Sequence, residues 1–213
     1  MGEKIAVYFR SKVGIPTTVI GLPETERAGA DLAPAALAPT LAGLAAANAA
    51  WEAGARSILV IESQDVVGGS SRLSGGIVIG AGTRFQKAKG LEDSGDHLYH
   101  EYMAWNAWRL DAAVARRFCE QCGPTVDWLA DLGVPFTGEL VLGGDEPQPR
   151  SHMVADRGQG IVDALHRKAR ERDIDIALGQ RVTRLLTDGG RVVGVTTADE
   201  EVYADAIIVR RGD

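Results

Sequence analysis

From Thr40 onward, runs of small apolar residues alternate with short β-branched runs. Leu41 to Ala53 is built of alanine and leucine with Gly54 behind it, which predicts a helix closed by a left-handed glycine. Ser57 to Ile61 is an apolar run of strand length ending at Glu62. A helix followed so closely by a buried strand belongs to α/β folds. Further helices are predicted over Asp96 to Trp108, Ala112 to Cys122 with Asp111 as cap, Pro124 to Leu132 with Gly133 as stop, and Gly160 to Glu171. The pattern then turns to β. Arg181 to Leu186 and Arg191 to Thr197 flank Thr187-Asp188-Gly189-Gly190, a hairpin signal, and Ala204 to Val209 reads as a last strand. Residues 1–37 receive no assignment. Lys4 to Phe9 and Thr17 to Leu22 have strand length, while Pro34 and Pro39 break Ala28 to Pro39. No repeat and no linker divides the chain.

Composition narrows the function. Of 213 residues, 45% are hydrophobic and 24% charged, enough to bury a core. A net charge of −6 argues against a nucleic-acid binder that works by neutralising phosphate. The best apolar run, Leu41 to Ala55, is too short for a bilayer and carries Asn48 and Glu52. Met1-Gly2-Glu3-Lys4 does not open a secretory signal. The 2 cysteines cannot form a disulfide scaffold, so a reducing cytoplasm is the expected location. The 26 glycines cluster in pairs and triplets without a fixed period, which suggests a ligand laid along the backbone.

The candidate chemistry lies between residues 41 and 76. Gly43 and its alanine neighbours allow close helix–strand packing and bring a helix N-terminus to a phosphate. Glu62 follows Gly43 by about 20 residues, where a carboxylate can accept from both ribose hydroxyls of an adenosine. Gly68-Gly69-Ser70-Ser71 and then Ser74-Gly75-Gly76 offer open N–H groups and hydroxyl donors. Taken singly, these are a packed helix, a solvated carboxylate and turns. Their joint spacing carries the reading.

The run from Leu41 to Gly76 resembles the FAD-binding domain of the fumarate reductase / succinate dehydrogenase flavoprotein class, which includes 3-ketosteroid dehydrogenases. Three later pieces arrive in the family's order. Asp131-Leu132-Gly133-Val134-Pro135-Phe136 resembles its Glu-Leu-Gly-Val-Pro-Phe turn. Arg150-Ser151-His152 with Gly158-Gln159-Gly160 resembles a loop before a helix, and Val182 to Val195 resembles a hairpin. The resemblance implies a Rossmann-like, three-layer FAD/NAD(P)-binding α/β domain with an added β-hairpin over 38–213, a helical insertion at about 95–133, and FAD as cofactor. It places Gly43 and Leu44 at the pyrophosphate and Glu62 at the ribose. Gly68, Gly69, Ser70, Ser71, Ser74, Gly75 and Gly76 would lie along the pyrophosphate and flavin, and the Val182 backbone at the adenine. Some members attach FAD to a histidine before the second glycine pair. None stands between Glu62 and Gly76, so non-covalent FAD is implied. The implied reaction is hydride transfer between flavin and a carbon–carbon bond next to a carbonyl or carboxylate. The substrate would be a small carboxylate or a ketone, such as a steroid.

Two departures qualify this. The dinucleotide turn calls for glycines at 38 and 40, where the chain has Ala38 and Thr40 around Pro39. After Ile207-Ile208-Val209 the chain reads Arg210-Arg211-Gly212-Asp213, without the family's glycine turn, capping domain or catalytic-arginine region. The expectation is therefore an incomplete N-terminal portion, with reading-frame changes near residues 32–40 and at 210. A non-catalytic α/β remnant that binds little FAD is the rival. An NAD-binding Rossmann dehydrogenase shares the strand-end carboxylate but leaves the serine-bearing glycine segments unexplained. Elsewhere Cys119-Glu120-Gln121-Cys122 lacks a second pair for zinc. His97 and His100 read as surface residues, and His152 as a hydrogen-bonding one. Trp105, Trp108 and Trp128 read as core or helix-packing side chains. Glu92, Asp93 and Asp96 lack the pattern of a calcium loop.

Overall fold

The computed structural model describes residues 41–144, 146–198 and 200–208. The expected segments before residue 41, the altered turn at 38–40 and the residues from Val209 onward lie outside them. The chain divides into two compact units, 1–72 with 165–213 and 73–164. The boundary falls within one helix.

In the first unit, α1 (Leu41–Glu52) closes where the Gly54 N–H reaches the Trp51 carbonyl and the Ala55 N–H that of Ala50. β1 (Leu59–Ile61) pairs in parallel with β5 (Asp175–Ala177), Leu59 opposite Asp175. Period-two alternation sorts their side chains into two clusters. Ile58, Val60 and Ile174 pack against Ala47, Ala50 and Ala169, the last on α5 (Arg157–Glu171). Leu59 on the other face joins Val182, Val195 and Val202. These last two belong to an antiparallel meander of β6 (Arg184–Asp188), β7 (Arg191–Thr196) and β8 (Glu201–Tyr203). Helices, parallel pair and meander make three layers, as expected. Alanine on α1 lets it lie close to α5, and buried Asn48 donates to the Leu44 and Leu165 carbonyls.

The expected hairpin forms, with Asp188 opposite Arg191 across Gly189-Gly190. The strand expected over Ala204 to Val209 does not form among its described residues; Glu201–Tyr203 pairs with β7 instead. The apolar character of that segment goes into packing, with Ile207 against the Val182 cluster and Ile208 against the Ala47 cluster.

In the second unit, β2 (Ile77–Ile79), β4 (Ser151–Val154) and β3 (Phe136–Val141) form an antiparallel sheet in the order β2-β4-β3. α2 (Arg84–Ala88) carries a Thr83–Gln86 capping box, and α3 (Gly95–Trp105) starts from the Ser94 cap. The two helices predicted on either side of Gly123 are one, α4 (Ala112–Asp131). An interior proline costs about 3 kcal/mol, yet the buried stripe of Ala115, Cys119, Cys122, Val126 and Leu129 runs past Pro124 and holds the helix together. Gly123 is needed because a Cβ there would overlap the Ala81 carbonyl. α3 stops before the predicted Trp108, since Ala107 and Trp108 turn to φ 49° and 58°. Trp105 and Trp108 lie 49% and 58% exposed, outside the core, though Trp108 packs edge-on against Tyr99 of α3.

Candidate functional site

In the first unit, the strand end of β1 presents Glu62. Its N–H donates to the Ala177 carbonyl at 2.8 Å, and its carbonyl accepts from the Gln180 N–H at 2.7 Å, so β5 and the loop after it fix the backbone. The side chain is fully buried. Oε1 accepts from the Gln64 N–H at 2.7 Å and from the Ser63 hydroxyl at 3.2 Å. Oε2 is buried with no hydrogen-bond partner among the described residues. Burial pushes the carboxyl pKa up, against the pull of the Gln64 and Ser63 bonds. An orphaned carboxylate oxygen is costly unless a ligand donor completes it. A ribose hydroxyl has that chemistry, so this acceptor fits the ribose of a nucleoside-containing cofactor.

The glycine-serine segment lies beside the start of α1, where the Leu41 N–H approaches Ser71 Oγ at 3.4 Å. Gly68 and Gly69 take φ of 101° and 45°, Gly69–Leu73 forms a single 3₁₀ turn, and Ser70 is exposed. Arg72 Nε is a second buried atom without a partner among the described residues. Gly43 is half-buried. Leu44 and Val182 are 0% and 1% exposed, so their side chains belong to the core and only their backbones can meet a ligand.

Ser74, Gly75 and Gly76 belong to the second unit. The Ser74 carbonyl accepts from the Gly158 N–H at 3.1 Å, and that of Gly76 from the Val154 N–H at 3.0 Å. Gly76 has φ of 70°, and a Cβ there would overlap Arg157 Cα. Gly75 is exposed, with nothing near its Cβ position. The structure thus brings Gly43, Leu44, Glu62, Gly68, Gly69, Ser70, Ser71 and Val182 into one unit and places Ser74, Gly75 and Gly76 in the other.

Sequence reasoning missed the polar network of the second unit. Arg150 donates through Nε and Nη2 to Asp93 at 2.7 and 2.8 Å, and through Nη1 to Glu101. Arg150 and Asp93 side chains are both fully buried. Burial pushes the Asp93 carboxyl up, but bonds from Arg150 and Gln86 outweigh it and leave the pKa below the ordinary value. Burial likewise works against the Arg150 cation, and its two carboxylate partners more than offset that. The signal available was the Arg150-Ser151-His152 motif itself. His97 and His100 side chains are exposed, as expected, and no cluster able to hold a metal exists among the described residues. Cys119 and Cys122 are free, buried thiols, and burial raises Cys119 to about 11. Such thiols are inert.

A Rossmann-like layered core with a buried acidic strand end beside glycine-rich turns defines a dinucleotide-cofactor-binding protein. A family model described as "FAD binding domain" matches residues 41–212. The chain belongs to that family, the FAD-binding domain of the fumarate reductase / succinate dehydrogenase flavoprotein class, and its cofactor is FAD. It is 32% identical over 179 residues to an NADH:fumarate oxidoreductase of Klebsiella pneumoniae, covering 80% of this chain and 19% of that protein. It is 30% identical to the fumarate reductase (cytochrome) of Shewanella frigidimarina, covering 80% and 31%. Among solved structures, it matches a 3-ketosteroid-Δ4-(5α)-dehydrogenase of Rhodococcus jostii in complex with 4-androstene-3,17-dione. That match has TM-score 0.69 and 29% identity, over 78% of this chain and 42% of the other. A flavocytochrome c3 fumarate reductase in its open conformation matches with TM-score 0.73 and 27% identity, over 80% and 32%. The chain therefore spans between 19% and 42% of the length of these relatives. No helix among the described residues is long and apolar enough to cross a membrane.

Proposed function

We propose that this chain supplies the FAD-holding part of an oxidoreductase that transfers hydride between flavin and a carbon–carbon bond next to a carbonyl or carboxylate, reducing the double bond or introducing it. The observation that carries this is Glu62, buried at the end of β1 with Oε2 unpaired among the described residues. Glu62 would take the ribose hydroxyls, the α1 N-terminus with Gly43 and the Leu44 backbone the pyrophosphate, and the Val182 backbone the adenine. Gly68 to Ser71 and Ser74 to Gly76 would run along the pyrophosphate and flavin. When bound, FAD supplies the hydride chemistry; these residues bind and orient it. With no histidine between Glu62 and Gly76, FAD is held without a covalent bond. The relatives named for fumarate and for a ketosteroid support a small carboxylate or ketone as substrate.

Titration of the purified chain with FAD, followed by quenching of flavin fluorescence, tests this reading. Saturable binding that weakens about tenfold or more in Glu62→Gln is expected, the loss of charged hydrogen bonds. Acid precipitation should leave all flavin in the supernatant. Unchanged affinity in Glu62→Gln, or no binding by the wild-type chain, would refute it.

A further inference from the structure

The second unit buries an imidazole whose hydrogen bonds fix Nδ1 as a donor. His152 is 1% exposed. Nδ1 lies 2.8 Å from the Arg150 carbonyl oxygen and 3.2 Å from that of Val78. Carbonyls only accept, so Nδ1 carries the hydrogen. Nε2 lies 2.8 Å from Thr83 Oγ1, and that oxygen already accepts from the Gln86 N–H at 3.2 Å. Burial favours the neutral ring, and in that form Nε2 is an acceptor at which the Thr83 hydroxyl hydrogen points. The neutral Nδ1–H tautomer then has both nitrogens paired.

These bonds join separate pieces of the unit to β4. Val78 is the middle of β2 and lies opposite His152 in the ladder. The Arg150 carbonyl also takes the Gly80 N–H at 3.0 Å, just after β2. Thr83 caps α2. β2 begins one residue after Gly76, whose carbonyl accepts from Val154 beyond His152 on β4. The Ser74–Gly76 loop hangs on the β2–β4 pairing that His152 closes.

A second proton would sit on Nε2 and meet an oxygen whose own hydrogen is aimed at the same place. Thr83 would have to turn that hydrogen away. Burial outweighs the Arg150 and Val78 carbonyls at Nδ1, which favour the cation. Phe85 and Phe136 lie edge-on at 5.6 and 6.2 Å. Asp127 on α4 favours it at a distance but is paired with Arg84. On β4's own side Arg150 is a cation, engaged by Asp93 and Glu101. Burial accordingly holds the His152 pKa below the ordinary 6.5.

We propose that neutral His152 is the positioning residue for the Ser74–Gly76 loop, and that a proton arriving at Nε2 unlatches β2 and with it the loop's hold on the cofactor. The cofactor half of this inference rests on the reading of that loop as part of the FAD site.

Three measurements on the whole chain between about pH 8 and about pH 5 test it. Nitrogen-15 NMR of labelled histidine reports tautomer and charge. Hydrogen exchange at the Val154 and Gly158 N–H groups reports the loop. Flavin fluorescence reports affinity. The expected result is an Nδ1–H tautomer at neutral pH and one shared midpoint below 6.5. Below it, FAD affinity should fall by up to about tenfold per pH unit, the most one proton can give. His152→Gln keeps an acceptor for Thr83 and cannot titrate, so its affinity should fall less steeply than wild type, only as far as protonation of Glu62 weakens binding; Thr83→Ser should follow wild type. An Nε2–H tautomer, protection that survives protonation of His152, or a His152→Gln profile as steep as wild type would overturn the proposal. Should His152→Gln fail to fold, the wild-type tautomer and exchange data decide. A wild-type chain that binds no FAD at any pH, while ring charge and exchange still change together, refutes the cofactor reading of the loop and supports the latch.

Discussion

The two units treat buried polarity in opposite ways. Among the described residues, the buried side-chain atoms without a partner are Glu62 Oε2, Arg72 Nε and Thr196 Oγ1, and all belong to the first unit. The second unit buries more demanding groups, Arg150 with Asp93 and the His152 ring, and pairs each of them. A unit that satisfies itself is built for rigidity. One that leaves a carboxylate oxygen orphaned keeps a cost that a ligand can remove.

The contrast can be broken most forcefully at Arg150. Arg150→Met leaves Asp93 as a buried, unpaired charge and should cost about 3–5 kcal/mol in urea unfolding. The wild-type pair's contribution is present at neutral pH and lost as pH falls below the ordinary 3.8 through the depressed Asp93 pKa. A loss under about 1 kcal/mol would mean the network does not hold the unit. Next comes Gly76→Ala, which forces a Cβ onto the Arg157 backbone at positive φ. About 2 kcal/mol or more should be lost, read as a lower Tm.

Glu62→Gln should move stability the other way. The folded carboxyl has a raised pKa, so its penalty is absent well below the ordinary 4.5 and grows as pH rises through the folded value. At neutral pH the variant without FAD should be more stable than wild type by up to about 1 kcal/mol, and the two should converge in acid. A variant less stable at neutral pH would show that the orphaned oxygen carries no cost. The smallest effect belongs to Trp105→Ser, at an exposed position, which should change unfolding free energy by under about 0.5 kcal/mol. A larger loss would restore the packing role that the aromatic pattern suggested.

That last case marks where the chain's pattern ran out. The strand before Glu62, the alanine helix and the hairpin at Gly189-Gly190 were legible because each rests on local periodicity or turn chemistry. The single α4 was not, because Pro124 is a local breaker and the stripe that overrides it is tertiary. Trp108 was misplaced because a left-handed turn at Ala107 leaves no residue-type signal when it uses neither glycine nor asparagine. At the site, the placing of Glu62 at the end of a buried strand was readable from the apolar run before it. Asp93 was not: its meaning depends on Arg150, a partner far along the chain.

The two sulfur atoms inside α4 give the molecule a built-in clock. Cys119 and Cys122 are 0% and 6% exposed and are the chain's only thiols. An alkylating reagent can therefore reach them only when the packing of α3 or of the Ala81 turn on α4 opens. The rate of modification counts those openings, and a bound dinucleotide that slowed it would be felt through that packing without touching either sulfur.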